Sequence, residues 1–238
     1  MEKSLPEITK NIIREMDKHV QSGKVKRFNI KVAENKVIPI DIFPGVFPIL
    51  SEHSESSKSV FKGFPDLTGM QVAEVGCGSG AASIAAAFNG AEGVVAGDIS
   101  EIAVQNTKHN VAQNGLSEKV HILKSDLFEN FPKLKKFDFI IANLPILDAP
   151  GDKNIINDAL IDTDMKLHKR LLADAKHYLK PGGIITMTHA DLQSAGTDNP
   201  EEDFEILEKL FADFGYRIHK KTAIKAIGHK WVNYQITR

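Results

Sequence analysis

MQVAEVGCGSGAASIAAAF, residues 70–88, is the stretch that decides the fold. A short apolar run enters Gly76-Cys77-Gly78-Ser79-Gly80, and small residues follow it. That order reads as a buried strand, a glycine turn and a helix packed through small side chains. Glycine after a buried strand lets the backbone turn sharply and lets a ligand approach without meeting a Cβ. A bare strand-to-helix turn is the alternative, and three alternating glycines exceed what such a turn needs.

The pattern repeats downstream. GVVAGD, VHILKSD, FDFIIANLP and IITMTH read as four further strands. Ser100 is placed to cap the helix EIAVQNTKHNVAQ, and Asn114-Gly115 to end it. A long helix is expected from about Asp158 to Leu179, with Leu160, Leu167, Leu171, Ala175 and Tyr178 inward and Pro181-Gly182-Gly183 as its stop. Asn199 caps a last helix whose inner face is Phe204, Leu207, Phe211 and Phe214. RIHKKTAI and WVNYQIT close the chain as two strands too near in sequence to pair in parallel. Strand–helix alternation of this kind makes an α/β protein with a mostly parallel sheet and helices on both faces.

Upstream, residues 4–22 predict an amphipathic helix. Ser4 and Glu7 have capping-box spacing, Ile8, Ile12, Met16 and Val20 form one stripe, and Gly23 is the stop. VKRFNIKV and KVIPIDIF predict a hairpin. Residues 1–65 would thus form a helix-and-hairpin cap, and residues 66–238 the main domain.

Composition narrows the function class. The 238 residues carry 30 Lys and Arg against 31 Asp and Glu, a net charge of −1, so no global field draws the chain to nucleic acid or to an anionic membrane. The one cysteine, Cys77, excludes a disulfide framework and a multi-cysteine zinc site. No apolar run approaches the ~18–20 residues that span a bilayer. The N-terminus lacks a signal peptide's apolar run. These features predict a cytoplasmic protein. From residue 215 onward there are six Lys and Arg and no acid. That basic edge would meet phosphates, or be an edge strand protected by its lysines.

Ligands in open α/β sheets bind beyond the carboxyl ends of the strands. Five places follow. The first is the glycine loop. The second is Asp98, 22 residues after Gly76, where a carboxylate accepts both ribose hydroxyl hydrogens or favours a helix N-terminus. The third is Ser125-Asp126-Leu127, an acid for an adenine amino group beside an apolar neighbour, or a solvated loop. The fourth is Asn143-Leu144-Pro145-Ile146, where an amide oxygen and a carbonyl aim at one nitrogen, or a strand simply turns. The fifth is His189, a base candidate or an ordinary histidine.

With EVGCGSG, Asp98, SDLF, IIANLP and YLKPGG in this order, the chain resembles the class I S-adenosylmethionine-dependent methyltransferases over roughly residues 70–238. AVQNTKHNVAQNGL, DTDMKLHKRLLADAKHYLKPGG and the GVFPIL loop are similar to the HemK-type and related small methyltransferase-domain subgroup. The resemblance implies a Rossmann-like, seven-stranded, mostly parallel sheet with an antiparallel terminal strand. It implies S-adenosylmethionine as cofactor and S-adenosylhomocysteine as product, with no metal. Glu74, Gly76, Gly78 and Gly80 would face the methionine part. Asp98 with Ile99 would hold the ribose side, and Asp126 with Leu127 the adenine. Phe47 and the SEHSESSK stretch would close over the cofactor. Asn143 would meet both cofactor and acceptor, on a loop stiffened by Pro145, with His189 as a base where one is needed. Asp148 and Asp152 would receive a cationic acceptor, or lie in solvent.

The subgroup's usual Asn-Pro-Pro-Tyr reads Asn143-Leu144-Pro145-Ile146 here, and Ile146 cannot stack on a flipped base as a tyrosine would, which counts against a nucleobase and a planar amide alike. A nitrogen or oxygen of a protein amide or small molecule is the first expectation for the acceptor. RNA, ribosomal or transfer, ranks second. Because Gly76, Gly78 and Ala81 also satisfy G-x-G-x-x-G/A, an NAD-dependent oxidoreductase or a non-catalytic cofactor-binding protein is the reading from another class. The oligomeric state stays open.

Overall fold

The computed structural model describes residues 7–33, 36–47, 64–147, 159–191, 199–226 and 229–238. The expected cap at Ser4, the SEHSESSK stretch, Asp148, Asp152 and the helix start at Asp158 lie outside them.

The chain opens with helix α1 (Glu7–Ser22), which Gly23 ends at a φ of 60°, and the hairpin β1 (Lys26–Ala33) and β2 (Lys36–Ile42). Then come β3 (Gln71–Val75), α2 (Ala81–Phe88), β4 (Gly93–Asp98), α3 (Glu101–Gln113), β5 (Val120–Lys124) and β6 (Phe137–Ala142). The last elements are α4 (Lys166–Ala175), β7 (Leu179–Ala190), α5 (Pro200–Asp213), β8 (Arg217–Ala226) and β9 (His229–Thr237). The seven strands of the main sheet lie in the order β5-β4-β3-β6-β7-β9-β8. Strands β3 to β7 are parallel, and the final strand β9 runs antiparallel between β7 and β8.

This is the expected α/β architecture, with the antiparallel strand at the end. The chain builds β4 and β5 on one side of β3 and β6 and β7 on the other, so the loops after β3 and β6 flank a switch point. The central strands are apolar on both faces, as parallel strands covered by helices must be. One core joins Val72, Val94 and Ile141 to α2, α3 and the hairpin residues Ile30, Val32, Ile38, Ile40 and Ile42. The other joins Val75, Ile140 and Met187 to α4 and α5. The hairpin thus shares the core of the main sheet. No helix among the described residues is long and apolar enough to cross a membrane.

Two expectations are corrected. The helix expected from about Asp158 to Leu179 is α4 alone, Lys166–Ala175. Residues 160–162 are instead tied to Leu147, with Leu147 and Ile161 forming a parallel bridge. A 3-10 turn, Thr163–Met165, leads into α4. Second, β7 begins before Pro181-Gly182-Gly183. Phe137 pairs with Leu179 and Phe139 with Ile184, so the Pro-Gly-Gly run is a bulge within the strand.

Candidate active site

The site is built at the carboxyl ends of β3, β4 and β6. After β3 the chain turns through Gly76, Gly78 and Gly80, all at positive φ. The turn is locked to the next strand, since the N–H groups of Gly76 and Cys77 both donate to the Gly97 carbonyl, at 2.9 and 3.1 Å. The glycines have different reasons for lacking a side chain. A Cβ on Gly80 would meet Thr107 Cγ2 at 2.6 Å, so this one is required by the packing of the loop on α3. A Cβ on Gly76 or Gly78 would meet nothing nearer than Leu144 Cδ2 or Val46 Cγ1, both at 3.9 Å. Those two leave a cradle that a side chain would occupy.

Asp98 ends β4 and is held from two sides. Its Oδ2 accepts from the Gly78 N–H at 2.9 Å and its Oδ1 from the Ser100 N–H at 2.9 Å. Ser100 is the N-cap residue of α3, as expected, but its hydroxyl makes no capping bond; Asp98 instead holds the Ser100 N–H just ahead of the helix. Burial raises the Asp98 carboxyl above the usual aspartate range, against the pull of the backbone N–H groups. Beside it, Ile99 is 63% exposed, a large apolar side chain left uncovered at the rim.

Glu74, in β3, is only 4% exposed. Its Oε2 accepts from the Ser83 N–H at 2.8 Å and from the Ser83 hydroxyl, which ties the strand to the first turn of α2. Burial pushes its carboxyl up to about 8. Cys77 is buried, accepts a hydrogen bond from the Thr107 hydroxyl, and has its thiol pushed well up by burial. It is a packing residue.

Asp126 follows β5 and pairs with Arg170 of α4, its Oδ2 lying 3.0 Å from the guanidinium. Leu127 is left-handed, at a φ of 47°, and is buried in the core beneath. Asn143 is half-buried directly after β6, next to Leu144, which lies 3.9 Å from the position a Gly76 Cβ would take. Pro145 follows. Ile146 packs into a small apolar cluster with Met16, Leu147, Leu160 and Trp231, and Phe47 packs against the same cluster.

The structure therefore brings Gly76, Gly78, Asp98, Ile99 and Asn143 to one end of the sheet, with Glu74 buried behind them. His189, near the carboxyl end of β7, comes to the same end of the sheet, but its side chain turns into the core. That side chain is 3% exposed in β7, edge-on to His168 at 6.4 Å and to Phe204 at 6.0 Å. Burial lowers its pKa to about 3, so it is a neutral core histidine near neutral pH. Val46, Thr107, Asn110 and Arg170 were not singled out from the sequence, yet each touches the cradle or an expected binding residue. The spacing of Thr107 and Asn110 on α3 was the available signal.

A mostly parallel sheet with β9 inserted antiparallel, opening on a glycine cradle beside a half-buried acid, is the framework of the class I S-adenosylmethionine-dependent methyltransferases. The chain belongs to the ribosomal protein L11 methyltransferase (PrmA) family, whose model matches residues 64–188. It is 31% identical over 166 residues to a Methanocaldococcus jannaschii protein assigned as a protein N5-glutamine methyltransferase, covering 68% of this chain and 80% of that one. It is 36% identical over 175 residues to the ribosomal protein L11 methyltransferase of Caldanaerobacter subterraneus subsp. tengcongensis, covering 72% of this chain and 49% of the relative. The chain thus spans about half the length of that L11 enzyme. The solved structure of a ribosomal protein L11 methylase from Lactobacillus delbrueckii subsp. bulgaricus superposes with a TM-score of 0.56 at 22% identity, covering 78% and 79% of the two chains. The glycine-loop resemblance to an oxidoreductase gives way to these matches.

The residues present fit S-adenosylmethionine. The open Cβ positions at Gly76 and Gly78 leave room for backbone-close approach. The pinned Asp98 carboxylate can accept hydroxyl hydrogens, and Ile99 offers an apolar surface.

Proposed function

We propose that this chain methylates a nitrogen on a protein acceptor. The observation that carries this reading is the end of β6. Asn143 is followed by Leu144, Pro145 and an Ile146 that is packed into an apolar cluster. Nothing aromatic follows Asn143 in that motif to stack on an extruded base. The family match, and two relatives named for protein acceptors, point the same way.

The cofactor supplies an activated methyl group on sulfur. The protein's part is to hold an acceptor lone pair in line with it and to exclude water, and orientation of this kind supplies roughly 7–11 kcal/mol of barrier reduction. In this reading the Asn143 amide oxygen and the Leu144 carbonyl accept hydrogens from the acceptor nitrogen and so aim its lone pair. Asp98 and Ile99 hold the nucleoside end, and Gly76 and Gly78 admit the methionine end. Asp126, drawn toward Arg170, would offer its other oxygen to the adenine amino group. Met16 and Phe47 of the N-terminal segment join Ile146 and Leu147 in one cluster, which supports a part for that segment in the wall of the acceptor pocket.

The test incubates the purified chain and labelled S-adenosylmethionine with cell extract split into protein, RNA and metabolite fractions. Label that resists nuclease, is released by protease and maps to a side-chain or terminal nitrogen is the expected result. Label confined to RNA would replace this reading with that of a base methyltransferase on the same fold.

A further inference from the structure

We propose that Asp162 and His168 are a buried positioning pair that sets the acceptor loop, residues 143–147, against the cofactor cradle. The inference rests on the role given above to Asn143. At its near end that loop leaves β6. At its far end Leu147 is tied twice to one short segment. Its N–H donates to the Leu160 carbonyl at 3.1 Å, and its own carbonyl accepts from the Asp162 N–H at 2.8 Å. Pro145 lies between the two ends and restricts the loop's backbone. Whatever holds Asp162 therefore helps to set Asn143.

Asp162 is held by its side chain. Oδ1 accepts from the Leu167 N–H at 2.8 Å, and Oδ2 accepts from the His168 N–H at 3.1 Å and from the His168 ring at Nδ1, 2.7 Å away. Against a carboxylate, Nδ1 carries the proton. Both side chains are almost wholly buried. The carboxylate faces the first turn of α4, where backbone N–H groups and the helix dipole favour an anion. Burial pushes the Asp162 carboxyl up, but the bonds from His168 and the helix prevail and hold it below the usual aspartate range. It stays ionised at neutral pH.

Two further features mark this turn as more than a cap. Asp164 and Met165 both adopt left-handed backbone, at φ of 57° and 52°, which L-residues with side chains disfavour. Such a pair persists where the surroundings over-determine it, and here the Leu147 ties lie on one side and the Asp162 carboxylate on the other. On the far side of His168 stands the ring of His189, neutral and buried, and its Nδ1 makes no hydrogen bond among the described residues. His189 packs the pair without adding a competing charge.

The test compares His168→Leu, which removes the ring N–H, with His168→Asn, whose amide nitrogen takes the place of Nδ1. Three readouts are taken. They are hydrogen exchange over residues 143–147 with S-adenosylhomocysteine bound, affinity for S-adenosylhomocysteine, and kcat and KM on the labelled protein acceptor. Exchange over 143–147 about tenfold faster in His168→Leu and restored in His168→Asn is the expected result. Cofactor affinity should hold within about twofold and kcat should fall before KM moves, since the pair acts on orientation. Asp162→Asn, which keeps an acceptor oxygen for the helix N–H groups, is measured the same way and stands in where His168→Leu does not fold. Equal exchange in all the proteins overturns the proposal. So does a parallel loss of cofactor affinity, which marks a general loosening. Should the wild type methylate no protein, the exchange comparison still decides the pair, so the two failures are told apart.

Discussion

Asn110 and Asp41 are joined in both directions. The Asp41 N–H donates to Asn110 Oδ1 at 2.9 Å, and Asn110 Nδ2 donates back to the Asp41 carbonyl at 2.7 Å. One helical side chain thus behaves toward β2 as a neighbouring strand would. Asn106 repeats this one turn earlier, accepting from the Phe43 N–H and donating to the Asp41 carbonyl, and Asn114 donates to the Pro39 carbonyl one turn later. The hairpin edge is satisfied by a row of amides at i, i+4 and i+8 of α3. Asn110 Nδ2 also reaches the Ser79 carbonyl at 2.9 Å, so the same residue links the hairpin to the glycine loop.

Replacing Asn110 by Ala is therefore expected to cost about 2–4 kcal/mol, because buried backbone donors and acceptors lose partners. Urea denaturation measures the loss. An Asn110→Ala protein within about 0.5 kcal/mol of wild type, the range of a neutral surface change, would contradict the account.

The glycines separate stability from binding. Gly80→Ala drives a methyl into Thr107, and overpacking of this kind costs about 1–3 kcal/mol. Gly78→Ala meets only Val46, at ordinary van der Waals distance, so beyond a backbone penalty of about 1–2 kcal/mol for positive φ it should spare the fold. It should nevertheless weaken S-adenosylhomocysteine binding at least about tenfold, since the methyl occupies the cradle. Calorimetry alongside thermal melts checks both halves, and a Gly78→Ala protein with normal affinity would remove the cradle from the cofactor site.

Glu74 predicts a pH dependence of stability. Its carboxyl titrates near 8 in the fold because burial penalises the charge, whereas an unfolded glutamate titrates near 4.5. The folded protein therefore binds a proton that the unfolded chain releases throughout that window. This contribution is fully present below about pH 4.5 and is lost as pH rises to about 8. The linkage slope of about 1.4 kcal/mol per pH unit makes the total on the order of a few kcal/mol. Glu74→Gln keeps an acceptor for Ser83 without the charge. Relative to it, the wild type should lose stability between pH 5 and 8, and parallel curves for the two proteins would show that Glu74 is ionised throughout.

The glycine loop, the alternation of strands and helices and the hairpin were legible because each rests on local chemistry, namely glycine after apolar runs, periodicity and short connections. The asparagine row was visible as spacing but not as function. Asn106 and Asn110 are two polar residues of a helix, and Asn114 reads only as its end, until β2 is seen lying along them. Asp162 was hidden for another reason. The helical periodicity of Leu160, Leu167 and Leu171 runs across the left-handed turn at Asp164 and Met165, and only the ties to Leu147 break it. His189 misled because a histidine at the end of a strand looks the same in sequence whether it faces a ligand or a core. Burial, set by α4 before it and α5 after it in the chain, decides which.

Asp98 and Asn143 give the last contrast. Asp98 pins Gly78 and holds the Ser100 N–H while remaining at the rim, so Asp98→Ala removes an acceptor for the ribose and loosens the cradle together. A lost hydrogen bond to a charged group is worth about 1.5–3 kcal/mol, or roughly 10- to 150-fold in affinity for S-adenosylhomocysteine. Asn143→Ala should leave that affinity near wild type and lower kcat on the acceptor, because its amide acts on the incoming nitrogen. Titration calorimetry on both variants, paired with single-turnover methyl transfer, separates the roles. Normal turnover in Asn143→Ala would strip Asn143 of its orienting part, and unchanged affinity in Asp98→Ala would move the nucleoside away from the end of β4.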